Sequence, residues 1–207
     1  MILHSRGATN TTFLDDALFR ALARLGKRAP ILAFPDGSDH SYWHDRRGGA
    51  WGRYVVMTEV IPQVARRTGA DLRRVALGGI SMGGFGALDL ARLHPHRFCA
   101  IGAHSPALWR TAGETAPGAF DDAADFARHD VVAVARRSPQ RYAGTPIWID
   151  AGRGDPFRRG DHAFSAALRA AGVKLSEHVW PGGHGNAYWN RHWTSYLRFY
   201  ADALAAC

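Results

Sequence analysis

Five residues constrain this chain more than any others: Gly79-Ile80-Ser81-Met82-Gly83, which follow the apolar run Val75–Ile80 and precede a helical pattern starting near Gly84-Phe85. A serine set between a strand and a helix, with glycines on both sides, specifies a sharp turn that larger residues would block with their Cβ atoms. Such a turn lifts the hydroxyl above the end of a sheet. It also places it at a helix N-terminus, where backbone N–H groups meet developing negative charge.

The rest of the chain supplies the matching frame. Short apolar runs at Ile31–Phe34, Val75–Ile80, Phe98–Ala103, Pro146–Ala151 and Val173–Trp180 read as strands. Between them, apolar residues recur at 3.6-residue spacing over Asp15–Leu25, Tyr54–Arg67, Phe85–Leu93, Ala163–Ala171 and Trp189–Leu204. Strands alternating with helices imply βαβ units, right-handed crossovers and a mostly parallel central sheet in a three-layer α/β architecture. With 207 residues, residues 1–207 are read as one domain. The irregular stretch 105–143 is read as a short cap-like excursion from it.

Composition narrows the functional classes. The formal charge is +8, but it comes almost entirely from arginines scattered singly or in pairs, with no basic cluster or nucleic-acid motif. A solvated arginine-rich surface is expected, without nucleic-acid binding. No apolar run approaches the ~20 residues of a membrane span. The N-terminus Met1-Ile2-Leu3-His4-Ser5-Arg6 has no signal-peptide pattern, so a cytoplasmic location is expected. Of the two cysteines, Cys99 reads as a small buried thiol and Cys207 as a mobile terminus.

A serine hydroxyl needs a base, and the base needs an orienting acid. The order for a strand–Ser–helix turn of this kind is serine, acid, histidine. Among eleven histidines, His184 stands in the glycine-rich loop directly after the last predicted strand, where it can reach over the sheet edge. Asp155 lies in the loop after the preceding strand and is the favoured acid; Asp150, inside that strand, is the fallback. The Met82 N–H is one expected oxyanion donor, and the loop after Leu3 offers the other, Arg6 first and Ser5 second. Tyr42, Trp43, Trp51, Trp109, Trp180, Tyr188 and Trp189 fall in or beside loops at the same edge and suit an aryl, sugar or short acyl group. Trp148 reads as core. No metal site is expected: Asp36, Asp39, His40, His44 and Asp45 show no ligand spacing and read as a polar cleft loop.

These stretches together (Leu3-His4-Ser5-Arg6-Gly7, Phe34-Pro35-Asp36-Gly37, Tyr42-Trp43, Glu59-Val60-Ile61-Pro62, Gly79 to Gly84, Gly152 to Asp155 and Gly183-His184) resemble the α/β-hydrolase "putative esterase" family. That family includes esterase D (S-formylglutathione hydrolase), feruloyl and acetylxylan esterases, and the mycolyltransferases. The resemblance spans nearly the whole chain. It implies an α/β-hydrolase fold, a triad of Ser81, Asp155 and His184, oxyanion donors at Arg6 and Met82, and a cleft lined by the Asp36–Trp51 loop. It implies a carboxylic ester hydrolase that acts through an acyl-enzyme on a small-molecule ester and needs no cofactor. An acyltransferase using the same triad and a non-catalytic scaffold are the alternatives. Two departures stand out. Ser5 replaces the glycine of the family's His-Gly, and the family's strands ahead of Ile2-Leu3 are missing. The expected sheet is therefore N-terminally minimal, with about six strands, and Ile31–Phe34 forms an edge suited to a homodimer.

Overall fold

In the computed structural model, which covers residues 1–207 and leaves only the side chains of Met57 and Thr58 outside the described residues, the run before Ser81 is the second strand of a parallel sheet. The strands are β1 (Ile2–Leu3), β4 (Ala76–Ile80), β5 (Ala100–His104), β6 (Ile147–Gly152) and β7 (Ser176–Trp180), hydrogen-bonded in that order. A separate two-residue hairpin pairs β2 (Asp45–Arg46) with β3 (Gly49–Ala50).

Period-2 alternation divides the strand side chains between two cores. Ile2, Ala76, Ile80 and Ala100 pack under α1 (Asp16–Leu25) and the 21-residue α8 (Asn186–Ala206). Leu3, Leu77, Ile101, Ile147 and Ile149 face α4 (Met82–Leu93), α6 (Val131–Arg137) and α7 (Arg158–Ala170). Because helices cover both faces, β4 and β5 are buried throughout, which explains their unbroken apolar runs. Helix α1 starts where the Asp15 side chain accepts the Leu18 N–H at 3.0 Å, and it stops at Gly26. Two shorter helices, α2 (Trp51–Arg53) and α3 (Val60–Thr68), join the hairpin to β4. Between β5 and β6, residues 105–143 carry α5 (Ala123–His129) and α6; Leu108, Trp109, Ala119 and Phe126 from this stretch join the core against Phe85 of α4.

Two expectations are corrected. The sheet has five strands, not about six, because Ile31–Phe34 forms no ladder: its link to β1 is the Ile2 N–H donating to the Ala33 carbonyl at 2.9 Å. Pro30 and Pro35 bracket the run, and proline cannot donate to a ladder; Ile31 is left 56% exposed. The cysteines are neither free nor mobile. Helix α8 returns the chain end to the start of β5, and Cys99 and Cys207 are joined in a disulfide. The two lie 108 residues apart, a separation that carries no local signal. No helix among the described residues is long and apolar enough to cross a membrane.

Candidate active site

Ser81 occupies the turn between β4 and α4 with φ 56° and ψ −111°, a left-handed conformation that costs a non-glycine residue of order 1–3 kcal/mol. The surroundings hold it there. Its N–H donates to the His104 carbonyl at 2.9 Å, and its carbonyl accepts from Phe85 and Ala107, both at 3.0 Å. The flanking glycines are required by close approach: a Cβ on Gly79 would lie 2.2 Å from the Gly83 carbonyl, and one on Gly83 would lie 2.1 Å from the Leu3 carbonyl oxygen. The turn thus wedges α4 against both β4 and β1.

The loops after β6 and β7 bring the other two residues to this point. His184 Nδ1–H donates to Asp155 Oδ2 at 2.8 Å, and the Ser81 hydroxyl donates to His184 Nε2 at 2.8 Å. The Asp155 carboxylate is fully buried and also accepts the Phe157 N–H at 2.9 Å, which leaves it one orientation. The His184 side chain keeps 19% of its surface exposed, so a small molecule can reach the ring. The two loops are tied directly, with the Gly154 N–H donating to the Gly182 carbonyl and the Arg153 N–H to the Trp180 carbonyl. A buried serine–imidazole–carboxylate relay of this geometry can shuttle a proton off the hydroxyl. Asp150, the fallback acid, points elsewhere: it accepts from His104, Trp148, Tyr188 and Tyr196.

Met82 opens α4 directly after Ser81, and the loop after β1 reaches the same turn, where the Leu3 and His4 carbonyls pack against Gly83. The Arg6 loop is held from below. Buried His4 accepts the Gly37 N–H at Nε2 (2.9 Å) and donates from Nδ1 to the Ser5 carbonyl (2.9 Å), while Trp43 Nε1–H donates to the His4 carbonyl at 3.1 Å.

The aromatic candidates separate into distinct groups. Trp43 is corrected from cleft to core: it is 0% exposed, and its ring fills slots that Gly37 and Gly86 leave open. Tyr42 is also buried, tilted against Trp109 at 5.5 Å; burial raises its hydroxyl pKa, partly offset by the neighbouring Arg6 guanidinium. Tyr188 is buried too, its hydroxyl held by Asp150. Trp189 meets the His184 ring edge-on at 5.3 Å, and Trp109 reaches the site through Phe157, which lies 5.0 Å from His184. Trp180 stacks on His192 at 4.1 Å, and Trp51 packs edge-on to Tyr54 at 6.1 Å. Trp148, the core candidate, is half-buried beside His178. Phe157 escaped the sequence reading, although its place two residues after Asp155 was the available signal. Asp161 escaped it too; burial, reinforced by the charges of Asp155 and Asp150, pushes its carboxyl well above the usual range.

Residues 28–200 match the family model described as "Putative esterase". The chain belongs to this esterase family. It is 27% identical over 164 residues to the iron(III) salmochelin esterase of Escherichia coli O6:H1 (strain CFT073), a match covering 74% of the chain and 39% of that relative. The chain thus spans well under half the length of this curated relative. Among solved structures, a ferulic acid esterase superposes with a TM-score of 0.81 at 21% identity, covering 98% of this chain and 83% of the other. An S-formylglutathione hydrolase from Agrobacterium tumefaciens gives 0.72 at 19%, covering 98% and 83%. Mycobacterium tuberculosis MPT51 (FbpC1) gives 0.73 at 17%, covering 98% and 88%. These likenesses establish the α/β-hydrolase fold.

Proposed function

We propose that this chain is a carboxylic ester hydrolase that works through an acyl-enzyme on Ser81. The observation that carries the reading is the unbroken relay Asp155–His184–Ser81, with both links at 2.8 Å, on a serine held in a strained turn. Ser81 Oγ attacks the acyl carbon while His184 Nε2 takes its proton. The Met82 and Arg6 N–H groups receive the carbonyl oxygen as it turns anionic. His184 then passes the proton to the leaving alcohol, and water deacylates the serine by the reverse path. Asp155 holds the imidazole in the tautomer this needs. Each oxyanion donor is worth on the order of 10²–10³ in rate.

The substrate reading is a short-chain, aryl or sugar ester. Half-buried Phe157 and buried Trp189 set aromatic rings 5.0 and 5.3 Å from His184, and the short cap-like stretch 105–143 favours an open cleft over a deep acyl tunnel. The disulfide weighs against the cytoplasmic expectation, since such bonds persist in oxidising compartments.

The test is hydrolysis of p-nitrophenyl acetate, butyrate and octanoate by the wild type and Ser81→Ala near pH 8. Turnover that falls with chain length and vanishes in the variant is expected. Equal rates in both proteins would remove Ser81 from the mechanism. A product mixture dominated by the acylated polyol when glycerol is added would move the reading to an acyltransferase.

A further inference from the structure

Of the polar loop residues Asp36, Asp39, His40, His44 and Asp45, the fold buries His44 completely and takes it away from the others. His44 instead meets Asp125 and His129 of α5, which sit four residues apart on one helix face. We propose that His44, Asp125 and His129 form a binding site for a divalent first-row transition-metal ion, with Zn²⁺ the best match, separate from Ser81 and structural in role.

Three observations carry this. The first is spacing. One nitrogen from each histidine and one Asp125 oxygen all lie within 4.8 Å of one another. His44 Nε2 is 3.1 Å from Asp125 Oδ2, and His129 Nε2 is 3.8 Å from Asp125 Oδ1. A tetrahedral ion with ligand bonds of about 2.0–2.1 Å separates its ligand atoms by about 3.4 Å, so each histidine nitrogen stands near that separation from its own oxygen of the Asp125 carboxylate.

The second is the outer support. His129 Nδ1–H donates to Asp89 Oδ2 at 2.8 Å, and Arg92 holds Asp89 in turn. This carboxylate–histidine arrangement fixes the ring and turns its other nitrogen inward. In the neutral ring with Nδ1 protonated, that nitrogen faces an Asp125 oxygen 3.8 Å away, acceptor against acceptor, a juxtaposition a cation resolves.

The third is the enclosure. The His44 and Asp125 side chains are fully buried, His129 nearly so, and the Phe120 and Phe85 rings lie 5.1 and 6.1 Å from His44. His44 Nδ1 finds no hydrogen-bond partner there. Asp125 also accepts the Asp121 N–H and Arg128 Nη2, both at 2.9 Å. Arg128 is largely exposed and can swing into solvent to release its oxygen.

Two imidazoles and one carboxylate select zinc and its neighbours over magnesium or calcium, which prefer all-oxygen sites. The ion would clamp the segment carrying Tyr42, Trp43 and His44 to α5. Trp43 in turn braces the His4 carbonyl beneath the Arg6 loop.

The test uses the full chain, stripped with a chelator, dialysed, and given one equivalent of Zn²⁺. The expected result is about one zinc retained per chain after gel filtration and a raised Tm, with both lost in His129→Gln. No retention and no Tm change in the wild type would overturn the proposal. So would equal retention in a folded His129→Gln protein, because the zinc would then lie elsewhere. If His129→Gln does not fold, Co²⁺ added to the stripped wild type decides. Intense visible d–d bands of a four-coordinate N/O site support the proposal, and the weak spectrum of hydrated cobalt overturns it.

Discussion

An aspartate–histidine–hydroxyl relay occurs twice among the described residues, once in the loops at the end of the sheet and once within it. At the sheet edge, Asp155 holds His184, which accepts from the Ser81 hydroxyl at 2.8 Å. Inside the sheet, Asp150 holds His104 at 2.7 Å, and His104 accepts from the Tyr200 hydroxyl, also at 2.7 Å. By hydrogen-bond length alone they are indistinguishable. The difference lies in what surrounds them. Asp150 also collects Trp148, Tyr188 and Tyr196, so its carboxylate is saturated and the relay ties α8 to β5 and β6. Burial and the Asp150 charge push the Tyr200 hydroxyl well above its usual pKa. The Ser81 relay instead ends on a strained turn at the N-terminus of α4, with a partly exposed imidazole. A relay becomes reactive through access and through donors for the opposite charge.

The sharpest way to break this contrast is to delete the two hydroxyls in parallel. Ser81→Ala is expected to lower kcat about a millionfold. Tyr200→Phe should leave kcat within a few-fold and cost about 1–3 kcal/mol, because His104 Nε2 loses its buried partner. Ester hydrolysis and urea unfolding read the two effects. If Tyr200→Phe also abolished turnover, the division between a reactive and a structural relay would fail.

The acids sharpen the same comparison. Asp155→Asn should reduce kcat about 10⁴-fold with little change in unfolding midpoint, since it stabilises the wrong imidazole tautomer. Asp150→Asn should cost about 3 kcal/mol, because its amide N–H₂ faces groups that all donate, and the molecules that remain folded should keep their kcat. Kinetics normalised to active-site titre separate the two outcomes.

A third pair concerns glycine. A Cβ at Gly83 would meet the Leu3 carbonyl at 2.1 Å, and one at Gly102 would meet the Tyr200 hydroxyl at 1.9 Å. Alanine at either site should cost about 1–3 kcal/mol through overpacking. Only Gly83→Ala should also depress kcat, because it shifts the turn that aims Ser81. Thermal unfolding and kcat on the same preparations check this.

These contrasts also explain what the sequence could and could not reveal. The Ser81 turn was legible because strand, turn and helix signals occupy consecutive residues. Asp155 and His184 were legible because each follows a strand within a few residues, and the sheet's parallel order then brings them to one edge. The second relay was hidden: His104 and Tyr200 are joined only by the packing of α8, and the slot for Tyr200 is cut by Gly78 and Gly102, whose role appears once the helix lies on the sheet. Trp43 looked like a cleft aromatic because its loop is polar, but Gly37 and Gly86 let its ring sink into the core. Ile31–Phe34 carried the composition of a strand, and the prolines at its ends decided against the ladder. The disulfide joins residues 108 positions apart and His44 stands 81 positions from Asp125, where no local pattern reaches.

The most direct measurement is to label the nucleophile covalently. The wild-type chain is incubated with a fluorophosphonate, digested and mapped by mass spectrometry beside Ser81→Ala and Tyr200→Phe. One adduct on the peptide containing Ser81, present in wild type and Tyr200→Phe and absent from Ser81→Ala, is the predicted result. A stoichiometric adduct on any other residue, accompanied by ester turnover that survives in Ser81→Ala, would contradict it.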